Sequence, residues 1–599
     1  MLTTTKENQA AETLGALGDA LSAGDIDRAV ELFADTSYWR DILTFTWNIK
    51  TMDGKDAIRD MLGSQLALTK PSDWKVTEAD PTEDDTVAAW ITFETPVARG
   101  KGHIRLKDGK IFTLLTVMDE LKGHEEPTRF RRALGAKHGH AKHQPTWKEE
   151  REAEEKSLGY ETQPYVVIIG GGQGGIALAA RLKQLGVPAL IVEKNDRPGD
   201  SWRRRYKSLH LHDPVWYDHL PYMDFPKNWP IFPSKDKMGD WLEAYTKIME
   251  LNYWSRSTAK RASYDEASGT WTVVVDRDGE EVTLTPKQLV LATGMSGKPF
   301  VPEIKGAETF KGDIHHSSAH PGPDPFKGKR VVIIGANNSA HDIAAALWEN
   351  DVAEVTMIQR SPTHIIKSET LLHFGFAKHY CETAEANGID VEKSDIIYAS
   401  TPYALMHIPE IPVQAKIRER DAALYQALEK AGFMLDWGMD DSGIKMLYLR
   451  RGSGYYIDVG ASDLVADGSI KLKTGTEIQE ITPEGVLMAD GTMLPADVIV
   501  YATGYGSMNG FAADLISQDV ADKVGKVWGL GSGATKDPGP WEGEQRNMWK
   551  PTQQEALWFH GGNLHQSRYH SQHLALQLKA RMEGIPTPVY GLQEVYHKS

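Results

Sequence analysis

The sequence is poor in the features that announce several common classes of protein. Of its 599 residues one is cysteine, Cys381, which excludes an internal disulfide and a Cys-x-x-Cys redox pair and fits a reducing compartment. No apolar run approaches the roughly 18 residues that cross a bilayer. The first residues, MLTTTKENQAAET, lack the charged-then-apolar pattern of a secretion signal. Basic residues are in the minority: 67 Lys and Arg against 83 Asp and Glu give a net charge of -16, against the basic surface that nucleic-acid phosphates require. These absences lead us to expect a cytoplasmic protein with neither nucleic acid nor membrane as partner. One close group of histidines is His315, His316 and His320. A third ligand at a known spacing is missing, and Gly312 with Pro321 makes the segment a loop, so no metal is expected.

What is present is enough chain for three or four domains, at about 150 residues each. Residues 9–35 keep Leu14, Leu17, Leu21, Ile26, Val30 and Phe33 at helical spacing. Strand-like pieces follow at 36–46, 74–78, 86–95, 100–106 and 110–121, with turn signals such as Asp108-Gly109 between them. A helix followed by a curved antiparallel sheet carrying Trp39, Trp47, Trp90 and Phe93 resembles the NTF2-like or SnoaL-like cone, an α+β fold. Trp39-Arg40-Asp41 either lines such a cone or gives packing and a surface ion pair; the second reading is favoured. From 126 to 163 charge and histidine dominate, as in a solvated linker.

The most informative stretch comes next. Val166-Val167-Ile168-Ile169 empties into Gly170-Gly171-Gly172-Gln173-Gly174-Gly175, an apolar-striped helix follows, and a second strand ends on Glu193. This is a βαβ unit with a Gly-x-Gly-x-x-Gly turn: Gly170 permits the tight turn, Gly172 lets a pyrophosphate approach, and Gly175 lets helix and strand pack closely. Glu193 stands where a carboxylate accepts the ribose hydroxyls of an adenosine. The same grammar recurs at Arg330–Ile334, Gly335-Ala336-Asn337-Asn338-Ser339-Ala340 and the strand Glu354–Ile358. That strand ends on no acid. Arg360 with Ser361 can hold a 2′-phosphate by charge-assisted hydrogen bonds, so the two units are expected to bind different nucleotides. Ala292-Thr293-Gly294 and Ala502-Thr503-Gly504 close two apolar strands in the same way. The expected class is α/β, two Rossmann-type dinucleotide-binding domains preceded by the α+β cone. The expected boundaries are 1–125 (cone), 126–163 (linker), 164–325 (first unit), 326–485 (second unit, with a long insertion at 364–460) and 486–599 (return to the first unit, with a helix from about Ser571).

Between the two units stands Phe310-Lys311-Gly312-Asp313-Ile314-His315-His316-Ser317-Ser318-Ala319-His320-Pro321. With the paired glycine turns it resembles the flavin-containing monooxygenases and the related Baeyer–Villiger monooxygenases, over roughly residues 160–585. His316 matches the family histidine, His320 departs from the family's aromatic position, and Pro321 keeps the Baeyer–Villiger proline. With its N-terminal cone the chain is most similar to the type II flavin-containing monooxygenases.

The resemblance implies FAD on the first unit and NADPH, or NADH under relaxed coenzyme choice, on the second. The cofactor contacts would come from Gly170, Gly172, Gly174, Gly175, Glu193, Ser201, Trp202, Thr293 and Gly294, and from Gly335, Asn338, Ser339, Arg360, Ser361, Thr503 and Gly504. It further implies a C4a-(hydro)peroxyflavin that inserts one oxygen atom of O2 into a small ketone or a soft sulfur or nitrogen centre. His212 falls where family members place an asparagine or aspartate over the flavin; its imidazole ordinarily titrates near neutrality, and the competing reading is a packed loop histidine. The catalytic candidates are His212, His316 and Asn337, with Arg568 a guess for the arginine that assists the Baeyer–Villiger branch. The alternatives are an NAD(P)H oxidase or flavin reductase that releases hydrogen peroxide, and a non-catalytic nucleotide-sensing protein. A homodimer stays open.

Overall fold

The computed structural model describes residues 2–80, 86–135, 139, 142–376, 378–534 and 536–596. Its N-terminal part is one six-stranded sheet in which Ile49–Asp53, Phe33–Ile42, Lys110–Leu121, Ala98–Lys107, Val87–Glu94 and Ser72–Asp80 lie side by side. All neighbours are antiparallel except Phe33–Ile42 and Lys110–Leu121. Helices Leu2–Ala23 and Gly54–Thr69 cover it, and Leu14, Leu17, Trp39, Phe45, Met61 and Phe93 fill the space between. The strand Ile49–Asp53 and the helix Gly54–Thr69 were not expected. Trp47, expected on the sheet, sits in the reversal before Ile49 with φ +46°.

Two parallel five-stranded sheets make the rest of the frame. The first runs Leu557–Phe559, Gln288–Leu291, Val166–Ile169, Ala189–Val192, Tyr253–Trp254, and the second Asp313–His316, Val498–Tyr501, Arg330–Ile334, Glu354–Ile358, Lys471–Lys473. Their continuous apolar runs are buried on both faces, as parallel strands flanked by helices require. Strand pairing divides the chain differently from the expected boundaries. Asp313–His316, expected in the first unit, and Val498–Tyr501, expected in the return to it, both pair inside the second sheet. The segment that rejoins the first sheet is Leu557–Phe559.

The insertion is bracketed by a parallel pair, His364–Lys367 with Tyr455–Asp458, and is otherwise mainly helical. In the linker Thr146 and Glu149 form a capping box that starts the helix Trp147–Ser157, and Arg151 fastens it to Asn252 (2.6 Å) and the Leu251 carbonyl (2.8 Å). Ala136 to His138, His140 and Ala141, the histidine-rich part of the linker, lie outside the described residues. The final helix begins at Leu564, seven residues before the expected Ser571, because Asn563 and Gln566 form a capping box. It is buried on all sides rather than amphipathic.

Arg40 corrects the expectation of a surface ion pair. Its guanidinium meets both oxygens of Glu544 (2.7 Å each), donates to the Ala399 carbonyl (2.8 Å) and lies 4.8 Å over the Tyr403 ring. Arg40 and Glu544 are each 2% exposed. Thr51 adds a hydroxyl to the same carboxylate at 2.7 Å, and Asn48 reaches the carbonyls of Tyr590 and Gly591. The N-terminal sheet is thus keyed into the C-terminal region by a desolvated charge pair. Removing one partner of such a pair leaves the other charged and buried, at a cost of about 3–5 kcal/mol. Glu544→Gln is therefore expected to lower the unfolding midpoint and to hasten proteolytic release of residues 1–125; an unchanged midpoint and digestion pattern would remove the pair from any docking role.

Candidate active site

Each glycine turn is shaped by a carbonyl that crosses above it. Gly170 has φ +108°, and a β-carbon there would lie 2.4 Å from the Ala292 carbonyl oxygen. Gly335 has φ +130° and the same relation to the Ala502 carbonyl, at 2.2 Å. Only glycine fits under both constraints. Gly175 packs its helix against the strand, since a β-carbon would come 2.0 Å from the Gly170 carbonyl oxygen.

Around the first turn the polar groups suit a dinucleotide. Gly172 faces the Ser201 hydroxyl, 3.5 Å from where its β-carbon would be, and the buried Ser201 Oγ has no protein partner among the described residues. Thr293 Oγ1 is likewise buried and unpartnered. Buried hydroxyls left unmatched in this way are matched when a ligand brings acceptors. Glu193 is buried and its oxygens accept from the amides of Gly171 (2.6 Å) and Asn195 (2.9 Å), which aims the carboxylate along the turn. Trp202 Nε1 donates to Gln173 Oε1 at 3.2 Å, and Gly174 abuts Gly561.

The second turn is looser. Asn337, at its second glycine position, accepts from Thr363 Oγ1 at 3.4 Å, and Asn338 Oδ1 accepts from the Ile457 amide at 2.9 Å. Thr503 Oγ1 donates to the Phe300 carbonyl (2.5 Å) rather than into the turn. Arg360 and Ser361 are exposed at the strand end, and no carboxylate pairs with Arg360 among the described residues. Two further cations stand nearby. Partial desolvation, then Arg451 and Arg360, lower the pKa of Lys536. Lys536 comes from a loop 176 residues later in the chain than Arg360, so no local pattern links the two.

A cavity of about 310 Å³ spans the two turns, touching Gln173 beside the first and Asn338 beside the second. His212, Asp213 and Tyr217 line it from the segment between the first unit's second strand and the helix Lys235–Ile248, Tyr448 and Tyr455 from the insertion, and Asn563 from the cap of the last helix. The expectation that His212 titrates near neutrality is corrected: burial, then the neighbouring His210, push its pKa down to about 4. At pH 7 the imidazole is neutral and offers one N–H and one lone pair. Beside it burial raises Asp213 to about 6, offset in part by a hydrogen bond from Asn563. Burial and then Asp213 drive Asp218 well above the carboxylate range, so this pair retains a proton around neutrality.

His316 has no free nitrogen to offer. Its Nδ1 accepts from the Ser318 amide (3.1 Å) and lies 2.9 Å from Ser318 Oγ, and Nε2 meets the Gly504 carbonyl at 3.0 Å. That pattern places the proton on Nε2 and makes His316 a clip between its own strand and the second closure, not a group facing the cavity. His315 and His320 bond to each other at 3.0 Å and stack on Phe326. Arg568 does not line the cavity either; it is paired with Asp395, with one contact at 3.1 Å. Among the described residues no group of three or more His, Cys, Asp or Glu side chains is arranged to hold a metal ion, and no helix is long and apolar enough to cross a membrane.

Comparison with known proteins agrees with this geometry. Residues 167–372 match the pyridine nucleotide-disulphide oxidoreductase family, and residues 15–114 match the SnoaL-like domain family. Over 347 residues the chain is 31% identical to indole-3-pyruvate monooxygenase YUCCA1 of Oryza sativa subsp. japonica, covering 57% of this chain and 77% of the relative. Identity to the probable indole-3-pyruvate monooxygenase YUCCA9 of Arabidopsis thaliana is 30%, covering 57% and 75%. Among solved structures, OTEMO in complex with FAD and NADP shares the fold, with a TM-score of 0.50 at 20% identity over 71% of this chain and 86% of that one. With two dinucleotide turns opening on one cavity and relatives of this closeness, the chain belongs to the flavin-containing monooxygenases, FAD- and NADPH-using enzymes, and carries a SnoaL-like domain at its N-terminal end.

Proposed function

We propose that this enzyme seats FAD on the Gly170–Gly175 turn and the nicotinamide coenzyme on the Gly335–Ala340 turn, and transfers one oxygen atom of O2 to a small uncharged substrate in the cavity between them. The ketone or thioether class is favoured. The observation that carries the reading is that one cavity touches both turns and His212 together. When bound, the reduced flavin supplies the activation of O2. The protein supplies the rest. The Gly172 cradle with Ser201 and Thr293 takes the pyrophosphate, and Glu193 the ribose. The N-terminal end of the helix Leu564–Met582 presents backbone amides and a partial positive charge to the cavity edge. His212, neutral at working pH, donates its one N–H to oxygen in the cavity, and the aromatic walls exclude water. Arg360 and Lys536 hold a 2′-phosphate, so NADPH is preferred over NADH.

The reading is tested by product. NADPH turnover with a cyclic ketone or a thioether should give oxygenated product in near-stoichiometric yield, whereas hydrogen peroxide as the sole product would make the protein an oxidase. Arg360→Ala should raise KM for NADPH about tenfold, the weight of one charge-assisted hydrogen bond, and leave KM for NADH unchanged; equal effects on the two coenzymes would refute the phosphate contact. His212→Leu should cost about 10²-fold in oxygenation, as loss of one preorganised donor does, while NADPH consumption continues as peroxide release. Because the imidazole's pKa is already depressed to about 4, the wild-type oxygenation rate should show no His212 inflection between pH 6 and 9. An ionisation near pH 6.5 that disappears in His212→Leu would contradict this assignment.

A further inference from the structure

The cavity between the glycine turns is not the largest in the molecule. A second cavity, of about 1110 Å³, lies behind it, and His379 lines both. Elsewhere the two cavities are parted by side chains in contact with one another. Tyr380 lines the smaller cavity, and its hydroxyl donates at 2.9 Å to Asp395, which lines the larger. Tyr217 lines the smaller cavity and is preceded by Trp216, which lines the larger. Most of this wall is locked: Asp395 also takes His565 (3.0 Å) and Arg568, and His565 stacks on Tyr217 at 4.3 Å. His379 is the exception. Its buried Nδ1 has no hydrogen-bond partner among the described residues, and burial pushes its pKa down to about 4, so its ring is neutral.

The outer wall of the larger cavity comes from the N-terminal domain through Lys101, Asp119 and Glu120, and exposed rim residues such as Arg129, Lys227 and Glu382 show it opening at the surface. Charged residues are frequent along it, and some of them pair, Lys101 with Asp119 at 2.6 Å and Arg131 with Glu120 at 2.8 Å. One stretch of its lining is aromatic, with Phe225 stacked on Trp229 at 4.7 Å.

We infer that this larger cavity is the vestibule by which an apolar, uncharged substrate reaches the active cavity, that the SnoaL-like domain serves as its outer wall, and that His379 sets the size of molecule that passes. The inference rests on the oxygenase reading above. It also gives the N-terminal domain a task that the dinucleotide units leave unfilled, and it explains why that domain is keyed in by buried charge.

The sole cysteine provides the test, because Cys381 lines the vestibule and not the active cavity. The FAD-loaded enzyme is treated with methyl or with benzyl methanethiosulfonate, and labelling is verified by mass. The benzyl adduct should lower kcat/KM for thioanisole by about tenfold or more, as steric exclusion does, and the methyl adduct by far less. Anaerobic reduction of the flavin by NADPH should be unchanged, and dithiothreitol should restore activity. Cys381→Ser treated in parallel should be indifferent, and His379→Ala should favour bulkier thioethers. A second readout is the association rate of thioanisole, followed by the change in flavin absorbance, which works even if the enzyme turns out to release only peroxide. An unaltered association rate and kcat/KM in the benzyl adduct, a parallel loss of flavin reduction, or a Cys381 that fails to react in the folded holoenzyme would each overturn the vestibule assignment.

Discussion

Both nucleotide sites depend on one steric constraint, a strand-end carbonyl crossing directly over a glycine. The Ala292 carbonyl caps Gly170 and the Ala502 carbonyl caps Gly335, and neither glycine could carry a β-carbon. The crossing strand is itself hydrogen-bonded to the first strand of its unit, Ala292 N to the Ile169 carbonyl at 2.8 Å and Ala502 N to the Ile334 carbonyl at 2.9 Å. The closure therefore fixes the height of the turn, the turn fixes the first residues of the helix, and the helix N-terminus fixes where a phosphate is held. Shifting a closure strand would move a cofactor site with it. This makes His316 intelligible, because by bonding the Gly504 carbonyl it fastens the second closure to the strand Asp313–His316. It acts on the site through backbone position.

A second level of order comes from buried charge. Arg40 with Glu544 holds the N-terminal sheet, and Arg568 with Asp395 holds the helical insertion against the last helix. Neither pair is a strong argument for stability, since the cost of desolvation offsets much of the Coulomb gain. What such pairs supply is registry: a charge taken out of water tolerates one arrangement of its partner and few others. Both pairs join segments far apart in the chain, and Arg568 with Asp395 also borders the larger cavity. The positions of the domains are thus specified more sharply than apolar packing alone would specify them.

What the sequence revealed, and what it hid, follows the range of the interactions. The glycine turns, Glu193 and the unacidic end of the strand Glu354–Ile358 were legible because the pattern that marks them lies within one βαβ unit, although the carbonyls that cap Gly170 and Gly335 come from outside it. The SnoaL-like part was legible as helix followed by strands, though Ile49–Asp53 is short and the helix Gly54–Thr69 was missed despite the helical spacing of Ile58, Met61, Leu62, Gln65 and Leu66. The sheet boundaries were misplaced because Val498–Tyr501 inserts between Asp313–His316 and Arg330–Ile334, a pairing across more than 160 residues that no local pattern records. His316 was read as catalytic from its place in a motif; its second partner lies 188 residues away. Lys536 and Glu544 were invisible for the same reason.

The protonation of the central cavity completes the physical picture. Groups that would ordinarily be charged or titrating there are pushed toward neutrality: His212 down to about 4, and Asp218 upward by burial and by Asp213. Arg360 and Lys536 stand near each other instead, where the proposed 2′-phosphate contact needs them. Glu410 and Lys445 also line the central cavity, as a pair with each other, while His212 and Asp218 present weakly polar, hydrogen-bonding groups there. In a water-poor site charge is felt over longer distances than in solution, so a titrating imidazole at the centre would make the fate of activated oxygen depend on pH. A neutral His212 can hydrogen-bond oxygen without adding charge of its own. Such a centre suits an uncharged substrate arriving across an aromatic wall, and the arrangement would be undone by a solvent-filled cavity, since water would restore the charges that burial suppresses.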